Sequence, residues 1–192
     1  KGDTDMRPVL TEVAASQPDV VFFPIFQPEA DFIVRQAKGF PQLADTKKLF
    51  GADGLLSDTF VVIAQTEGMY FSGPATPQGT AYQEFVGKYE KKFGEKPIQA
   101  FHAHSYDAAN MIFAAIEKVA VREDGKLHID RQKLIEAMYA TKDYQGLTGM
   151  LSCDEFGDCA AAKIDIVSNT PAQKTIDQVR GNVLFTFEPP GG

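Results

Sequence analysis

Basic residues are in deficit in this chain: 19 Lys and Arg stand against 26 Asp and Glu over 192 residues, a formal charge of −7. Proteins that grip phosphate backbones need clustered Lys and Arg, so a nucleic-acid partner is not expected. Long apolar runs are lacking too. The longest, Val20 to Ile25 and Phe60 to Ala64, fall far short of the ~20 residues with which a helix crosses a bilayer. With only two cysteines, the chain is no small scaffold held by disulfides. Catalytic signatures are also missing: there is no GxSxG elbow, no GxxxxGK[ST] phosphate loop, no GxGxxG fingerprint and no HExxH. Nothing nominates a nucleophile, a cofactor or a metal centre, so an α/β enzyme is not the expected reading. The chain starts at Lys1, without Met and without the basic, apolar and small-residue sections of a signal peptide. The expectation is that a leader, or more, has been removed.

What is present is ordinary globular material, 44% hydrophobic and 23% charged, long enough to bury a real core. The first 75 residues alternate two periods. Met6, Val9, Leu10, Val13 and Ala14 follow helical spacing, with Thr4 or Asp5 as N-cap. Val20 to Phe23, after Gln17-Pro18-Asp19, reads as a strand buried on both faces. Pro28 opens a second helix that carries Glu29 and Asp31 in its first turn and stops at Gly39. Leu49-Phe50-Gly51 is a second strand, a helix follows from about Ser57, and Met69 to Ser72 is a third strand. Such alternation predicts a parallel sheet with crossover helices.

Gly73 to Gly79 holds two prolines and two glycines, the best candidate for a boundary or hinge. Beyond it, Tyr82, Phe85, Val86, Tyr89 and Phe93 mark an amphipathic helix ending at Gly94. A longer helix from His102 to Val119 is expected to face inward through Ala109, Ile112, Ile116 and Val119, and a third, Asp130 to Ala140, through Leu134, Ile135 and Met138. Leu147 to Cys153 and Ala161 to Val167 flank an Asp/Gly loop and read as a hairpin; Gln178-Val179 and Val183 to Phe187 suggest a final strand pair, and Pro189 to Gly192 a tail.

Candidate site residues carry alternatives. Cys153 and Cys159 bracket the Asp154 to Asp158 loop. A disulfide there would contribute roughly 2 to 3 kcal/mol; free thiols and, with distant ligands, zinc are the competing readings. His102 and His104, two apart, cannot share a metal on a helix and read as polar residues at a helix start. The acidic loop lacks the ligand pattern of a calcium site, and turn formation explains its Asp residues. Asp53 follows the strand Leu49 to Gly51, at the edge where open α/β sheets collect ligands; capping of a turn or of the helix near Ser57 would equally place it there. Phe26 stands at the same edge one strand earlier, for a ligand or for core packing.

Taken in order, Gly2 to Asp5, Gln17 to Phe22, Gln27 to Ala30, Arg35 to Ala37, Gly51 to Leu55, Glu67 to Phe71, Phe85 to Gly94, Ser105 to Asn110, Gly146 to Gly149 and Asp154 to Asp158 resemble the leucine/isoleucine/valine-binding proteins. These are type I periplasmic binding proteins of branched-chain amino acid ABC importers. The resemblance covers roughly residues 1 to 165. It implies an α/β fold of parallel sheets flanked by helices in two lobes, present here as an incomplete C-terminal part. Residues 1–73 would be part of lobe two, 74–160 part of lobe one after a Pro/Gly crossover, and 161–192 return strands and tail.

It further implies that Asp53 binds the ligand α-ammonium, while Phe26 and Phe101 line the pocket. A family Tyr at the place of Phe26 would donate a hydrogen bond that Phe cannot, and His102 and His104 stand where small or apolar residues are usual. Cys153 and Cys159 are not typical of the family. The implied protein is exported, catalyses nothing, needs no cofactor and passes an amino acid or related small amine to an ABC permease. A ligand-sensing receptor domain of the same fold is the alternative. An incomplete lobe two would also leave a sheet edge open, through which the chain could dimerise.

Overall fold

The computed structural model of the chain describes residues 2–98, 100–159 and 163–188. The elements run α1 (Arg7–Ala15), β1 (Val21–Phe23), α2 (Glu29–Ala37), β2 (Leu49–Gly51), α3 (Asp58–Val61), β3 (Tyr70–Pro74), α4 (Thr80–Phe93) and α5 (His102–Val119). They continue with β4 (Val121–Glu123), β5 (Lys126–His128), α6 (Arg131–Tyr139), β6 (Tyr144–Gln145), β7 (Met150–Leu151), β8 (Ile164–Ser168), α7 (Ile176–Gly181) and β9 (Val183–Phe187). The chain divides into two compact units: Lys1–Thr76 with Ile98–Ala100 and Lys163–Phe187, and Pro77–Pro97 with Phe101–Ala162 and Glu188–Gly192.

The first unit is built on a five-stranded sheet of order β1-β2-β3-β8-β9. The first three strands are parallel, as the alternating pattern requires, whereas β8 and β9 add antiparallel. A row of residues crosses the sheet in register, Phe23 beside Gly51, Gly51 beside Phe71 and Phe71 beside Val167. All four are buried and share a core with residues of the helices, among them Leu10, Val34 and Phe60.

Three expectations for this unit change. β1 is not buried on both faces: it is an outer strand, and Phe22 is 54% exposed. The N-cap of α1 is Met6 rather than Thr4 or Asp5, although Asp5 Oδ1 still accepts from the Arg7 N–H at 3.2 Å. Gln178-Val179 is helical, because Thr175 Oγ1 accepts from the Gln178 N–H and starts α7; its strand-like look came from too few residues to show a period. β9 pairs with β8 instead. The tail Pro189 to Gly192 lies outside the described residues.

The second unit is mainly helical. Asp130 caps α6, its Oδ1 accepting from Gln132 N at 2.8 Å and Lys133 N at 3.1 Å, and Gly94, at φ 81°, ends α4. The buried stripe of α5 is Ala103, Asp107, Met111 and Ala115 rather than the expected Ala109 to Val119 stripe. A carboxylate and two alanines on the inner face disguise it in the sequence. In α6, Ile135 is 49% exposed, and only Leu134 and Met138 of the expected trio turn partly inward. Val121 to Glu123 and Lys126 to His128 form a hairpin across Asp124-Gly125, which the Asp-Gly pair could have signalled. The hairpin expected around Asp154 to Asp158 is absent: β7 pairs with β6, and β8 joins the other unit's sheet. Of the second expected strand, residues 161 and 162 lie outside the described residues.

Candidate functional site

Within the first unit, the carboxyl ends of the parallel strands bring Phe26 and Asp53 together. β2 ends at Gly51, and the chain turns through a short 3-10 segment, Asp53–Leu55. Asp53 is half-buried and its carboxylate has no hydrogen-bond or ion-pair partner among the described residues. It caps nothing: the N-cap of the 3-10 turn is Ala52 and that of α3 is Ser57, neither making a side-chain capping bond. A carboxylate held part-way out of water with its acceptor sites unfilled is the chemistry that recognises an ammonium or another donor-rich group.

Phe26 is not core packing, being 68% exposed. Its ring lies on Gly54, the residue after Asp53; a Cβ at Gly54 would meet Phe26 ring carbons at 2.4 and 2.6 Å. Glycine is therefore what lets the aromatic wall approach the carboxylate-bearing turn. Gly73 on β3 leaves room for Leu56 beside the same turn, since a Cβ there would run into Leu56 at 2.5 Å and would lie 3.6 Å from the Asp53 Cβ.

A clamp that the sequence did not reveal ties these two loops. Gln27 Oε1 accepts from Ser57 Oγ at 3.2 Å and Thr59 Oγ1 at 2.7 Å, while its Nε2 donates to Asp31 Oδ1 at 2.9 Å. The loop from β1 to α2 is thereby fixed against the start of α3. The peptide between Gln27 and Pro28 is cis. Side chains that bond across some thirty residues leave no periodic mark, so no signal short of the structure would have found them.

Phe101 belongs to the second unit, where it precedes α5 as N-cap and is 46% exposed. Its ring meets that of His104 edge-on, centroids 5.5 Å apart. Burial holds the His104 imidazole below the ordinary histidine range, with Asp107 opposing and His102 adding to the shift. The Nδ1 of His104 is buried without a hydrogen-bond partner among the described residues. His102 instead faces α4: its Nε2 lies 2.8 Å from the Tyr82 hydroxyl, and its ring is nearly parallel to Phe85. Phe85, Tyr89, Phe93, Tyr106 and Leu147 line an open groove of about 660 Å³ there, with Lys88 and Lys92 at its margin.

Cys153 and Cys159 are joined as a disulfide in the second unit. The segment between them is a turn rather than a hairpin loop, with Asp154 Oδ1 accepting from the Phe156 and Asp158 N–H groups, each at 2.9 Å. The carboxylate of Asp107, buried on α5, accepts from Leu147 N, Thr148 N and Thr148 Oγ1 at 2.7 to 2.8 Å. A Cβ at Gly146 would lie 2.6 Å from its Oδ2, so glycine is required where this loop closes over the carboxylate.

Comparison with known proteins agrees with this architecture. A family model described as periplasmic binding protein matches residues 1–158. The leucine-, isoleucine-, valine-, threonine- and alanine-binding protein of Pseudomonas aeruginosa is 27% identical over 160 residues, covering 82% of this chain and 40% of its own length. The crystal structure of a leucine binding protein, LivK, from Thermotoga maritima superposes with a TM-score of 0.70 at 27% identity, over 90% of this chain and 47% of that one. A solute binding protein of an ABC transporter from R. palustris, in complex with benzoate, shares the fold at a TM-score of 0.68 and 17% identity, over 98% of this chain and 48% of that one. The chain thus spans less than half the length of these relatives. It belongs to the periplasmic binding protein family, within the type I branch of the branched-chain amino acid binding proteins.

Proposed function

We propose that this chain forms part of an extracytoplasmic solute-binding protein that delivers an amino acid, branched-chain or of similar size, to an ABC permease. The observation that carries the reading is the unpartnered, half-buried Asp53 carboxylate at the end of a parallel strand, with the exposed ring of Phe26 set on the neighbouring Gly54. The carboxylate receives the α-ammonium, and Phe26 forms an apolar wall for the side chain. Phe101 supplies a second aromatic surface from the other unit. In this reading residues 1–73 belong to lobe two and 74–160 to lobe one. Ligand drawn between them shifts an open–closed equilibrium, and the closed form is the one the permease receives. No bond is made or broken in the solute.

Asp53 also sets the class of solute. An aromatic carboxylate such as benzoate brings no ammonium and would leave the carboxylate uncompensated, so amino acids are favoured over it. Isothermal titration of the protein with leucine, isoleucine and valine, with benzoate as the ammonium-free control, is the direct test. Heat with an amino acid and none with benzoate is expected. Asp53→Asn should weaken amino-acid binding at least about tenfold, roughly 1.4 kcal/mol. An unchanged affinity would remove Asp53 from the site, and binding of benzoate alone would overturn the solute class.

A further inference from the structure

We infer that Gln27 is a positioning residue of the solute site: its side-chain amide, fastened to the start of α3, holds the neighbouring Phe26 ring on Gly54, so that the apolar wall stands assembled before a solute arrives. The inference rests on the reading of Phe26 and Asp53 given above. Burial does not hold Phe26 in place. The residue is 68% exposed and takes no part in the core that Phe23, three residues earlier, joins. Its carbonyl accepts from Ala30 N at 3.1 Å, a bond to α2 rather than to the turn that carries Asp53.

Gln27 supplies the missing tie. Its Nε2 donates to Asp31 Oδ1 at 2.9 Å, while its Oε1 lies 3.2 Å from Ser57 Oγ and 2.7 Å from Thr59 Oγ1. The amide has one way to sit: a carboxylate only accepts, so it takes the NH2 end and leaves the carbonyl oxygen to the two hydroxyls. Ser57 stands two residues beyond the turn Asp53–Leu55, and the chain on each side of it is braced by α7. Leu56 O accepts from Arg180 Nη2 at 3.1 Å, and Asp58 Oδ1 accepts from Ile176 N at 2.9 Å.

A loop tied to a braced post has less freedom to lose when a solute binds, which is how preorganisation raises affinity. The three Gln27 bonds are exposed or only part-buried, away from the core around Phe60 and Phe71. Their loss should therefore loosen the loop more than the fold.

Reversing donor and acceptor tests the role. Gln27→Glu sets a carboxylate against Asp31 and breaks the clamp. Adding Asp31→Asn restores all three bonds with the polarity of one reversed, the new amide donating to the new carboxylate; Asp31→Asn alone completes the double-mutant cycle. The first readout is the nuclear magnetic resonance shift of the Gly54 α-hydrogens. One of them points at the Phe26 ring, whose carbons a Cβ there would meet at 2.4 and 2.6 Å, and Phe26→Leu gives the shift without a ring. Gln27→Glu should move the signal towards that value, and the double variant should return it. The second readout is titration of the protein with leucine. Kd should rise about fivefold in Gln27→Glu, as a fall of the assembled fraction to about a fifth requires, and recover in the double variant. A negative charge added beside the site would by itself attract an ammonium, so weakening reports position rather than charge. A clamp serving the fold alone would lower the unfolding midpoint and leave both readouts of the folded protein as in the wild type. That result overturns the inference, as does a double variant that fails to restore the Gly54 signal. If Gly54 responds as expected while the wild type binds no leucine, the positioning of Phe26 by Gln27 stands and the amino-acid reading of the site falls.

Discussion

The two units are held together by different physics. In the first, a sheet face and its helices share a core in which Phe60, Phe71, Leu43, Leu49 and Leu55 are essentially inaccessible to water. Polar bonds finish that core: Asn169 Nδ2 donates to Val61 O at 2.8 Å and to Thr66 Oγ1 at 2.9 Å, stitching the returning C-terminal segment to the early helices. Among the described residues, the second unit has only a small apolar cluster, Met111, Leu151 and Cys153, and neither α4 nor α6 contains a buried residue. It is clipped instead. The Asp107 carboxylate anchors a loop, rings stack between α4 and α5, and a disulfide closes a seven-residue turn, worth about 2 kcal/mol in chain entropy. Burial is spread over many side chains in one unit, while in the other stability is concentrated in a few polar and covalent contacts.

The largest break in that contrast should come from Phe71→Ala. Phe71 is fully buried, its ring edge-on to Phe60 at 6.1 Å, and truncating such a ring costs about 3 to 5 kcal/mol. Hydrogen exchange followed by mass spectrometry should show faster opening across β1 to β3 and α1 to α3, with α5 and α6 unchanged. Equal loss of protection in both units would mean that they unfold as one and that the contrast is only geometric.

Asp107→Ala should come next. It leaves the Leu147 and Thr148 N–H groups and the Thr148 hydroxyl without their acceptor, a loss of about 2 to 3 kcal/mol for bonds to a charged group. Here the faster exchange should appear in α5, α6 and residues 144–151, the first unit staying protected. If a single polar truncation in the second unit costs less than about 0.5 kcal/mol, its clips are not what holds it.

What the sequence made legible follows the same divide. Period and punctuation gave away α1, β1, α2, β2 and β3, because an apolar sheet face and its crossover helices write themselves into consecutive residues. The Pro28 helix start and the Gly94 stop were readable for the same local reason. The position of Asp53 after β2 was readable as well, since a strand end is a local feature. The Gln27 clamp was not, being a set of hydrogen bonds to Ser57 and Thr59 at the start of α3, some thirty residues on. The pairing of Ile164 with Pro74 was hidden too: a hairpin with the nearer Leu147 to Cys153 run looked sufficient, and strand partners ninety residues apart leave no shared pattern. On α5, a buried Asp and small alanines concealed the packed face, which the larger Ile112 and Ile116 seemed to claim.

The smallest and most selective effect concerns acid. All three histidines, His102, His104 and His128, fall in the second unit, and the first has none. Burial lowers the affinity of His104 for a proton in the folded chain relative to its ordinary value of 6.5, more than Asp107 restores it. The unfolded chain then binds the proton more readily, so protonation favours unfolding. Stability contributed by neutral His104 is complete above the ordinary value and declines as pH falls through it, levelling off once the folded form is protonated as well. Between about pH 7.5 and 5, exchange protection in α5 should therefore decrease, while β1 to β3 respond little. His104→Gln, which keeps a neutral polar side chain, should flatten the α5 response. A profile in the variant that still falls with the same midpoint would assign the acid sensitivity to another group and leave the two units alike in this respect.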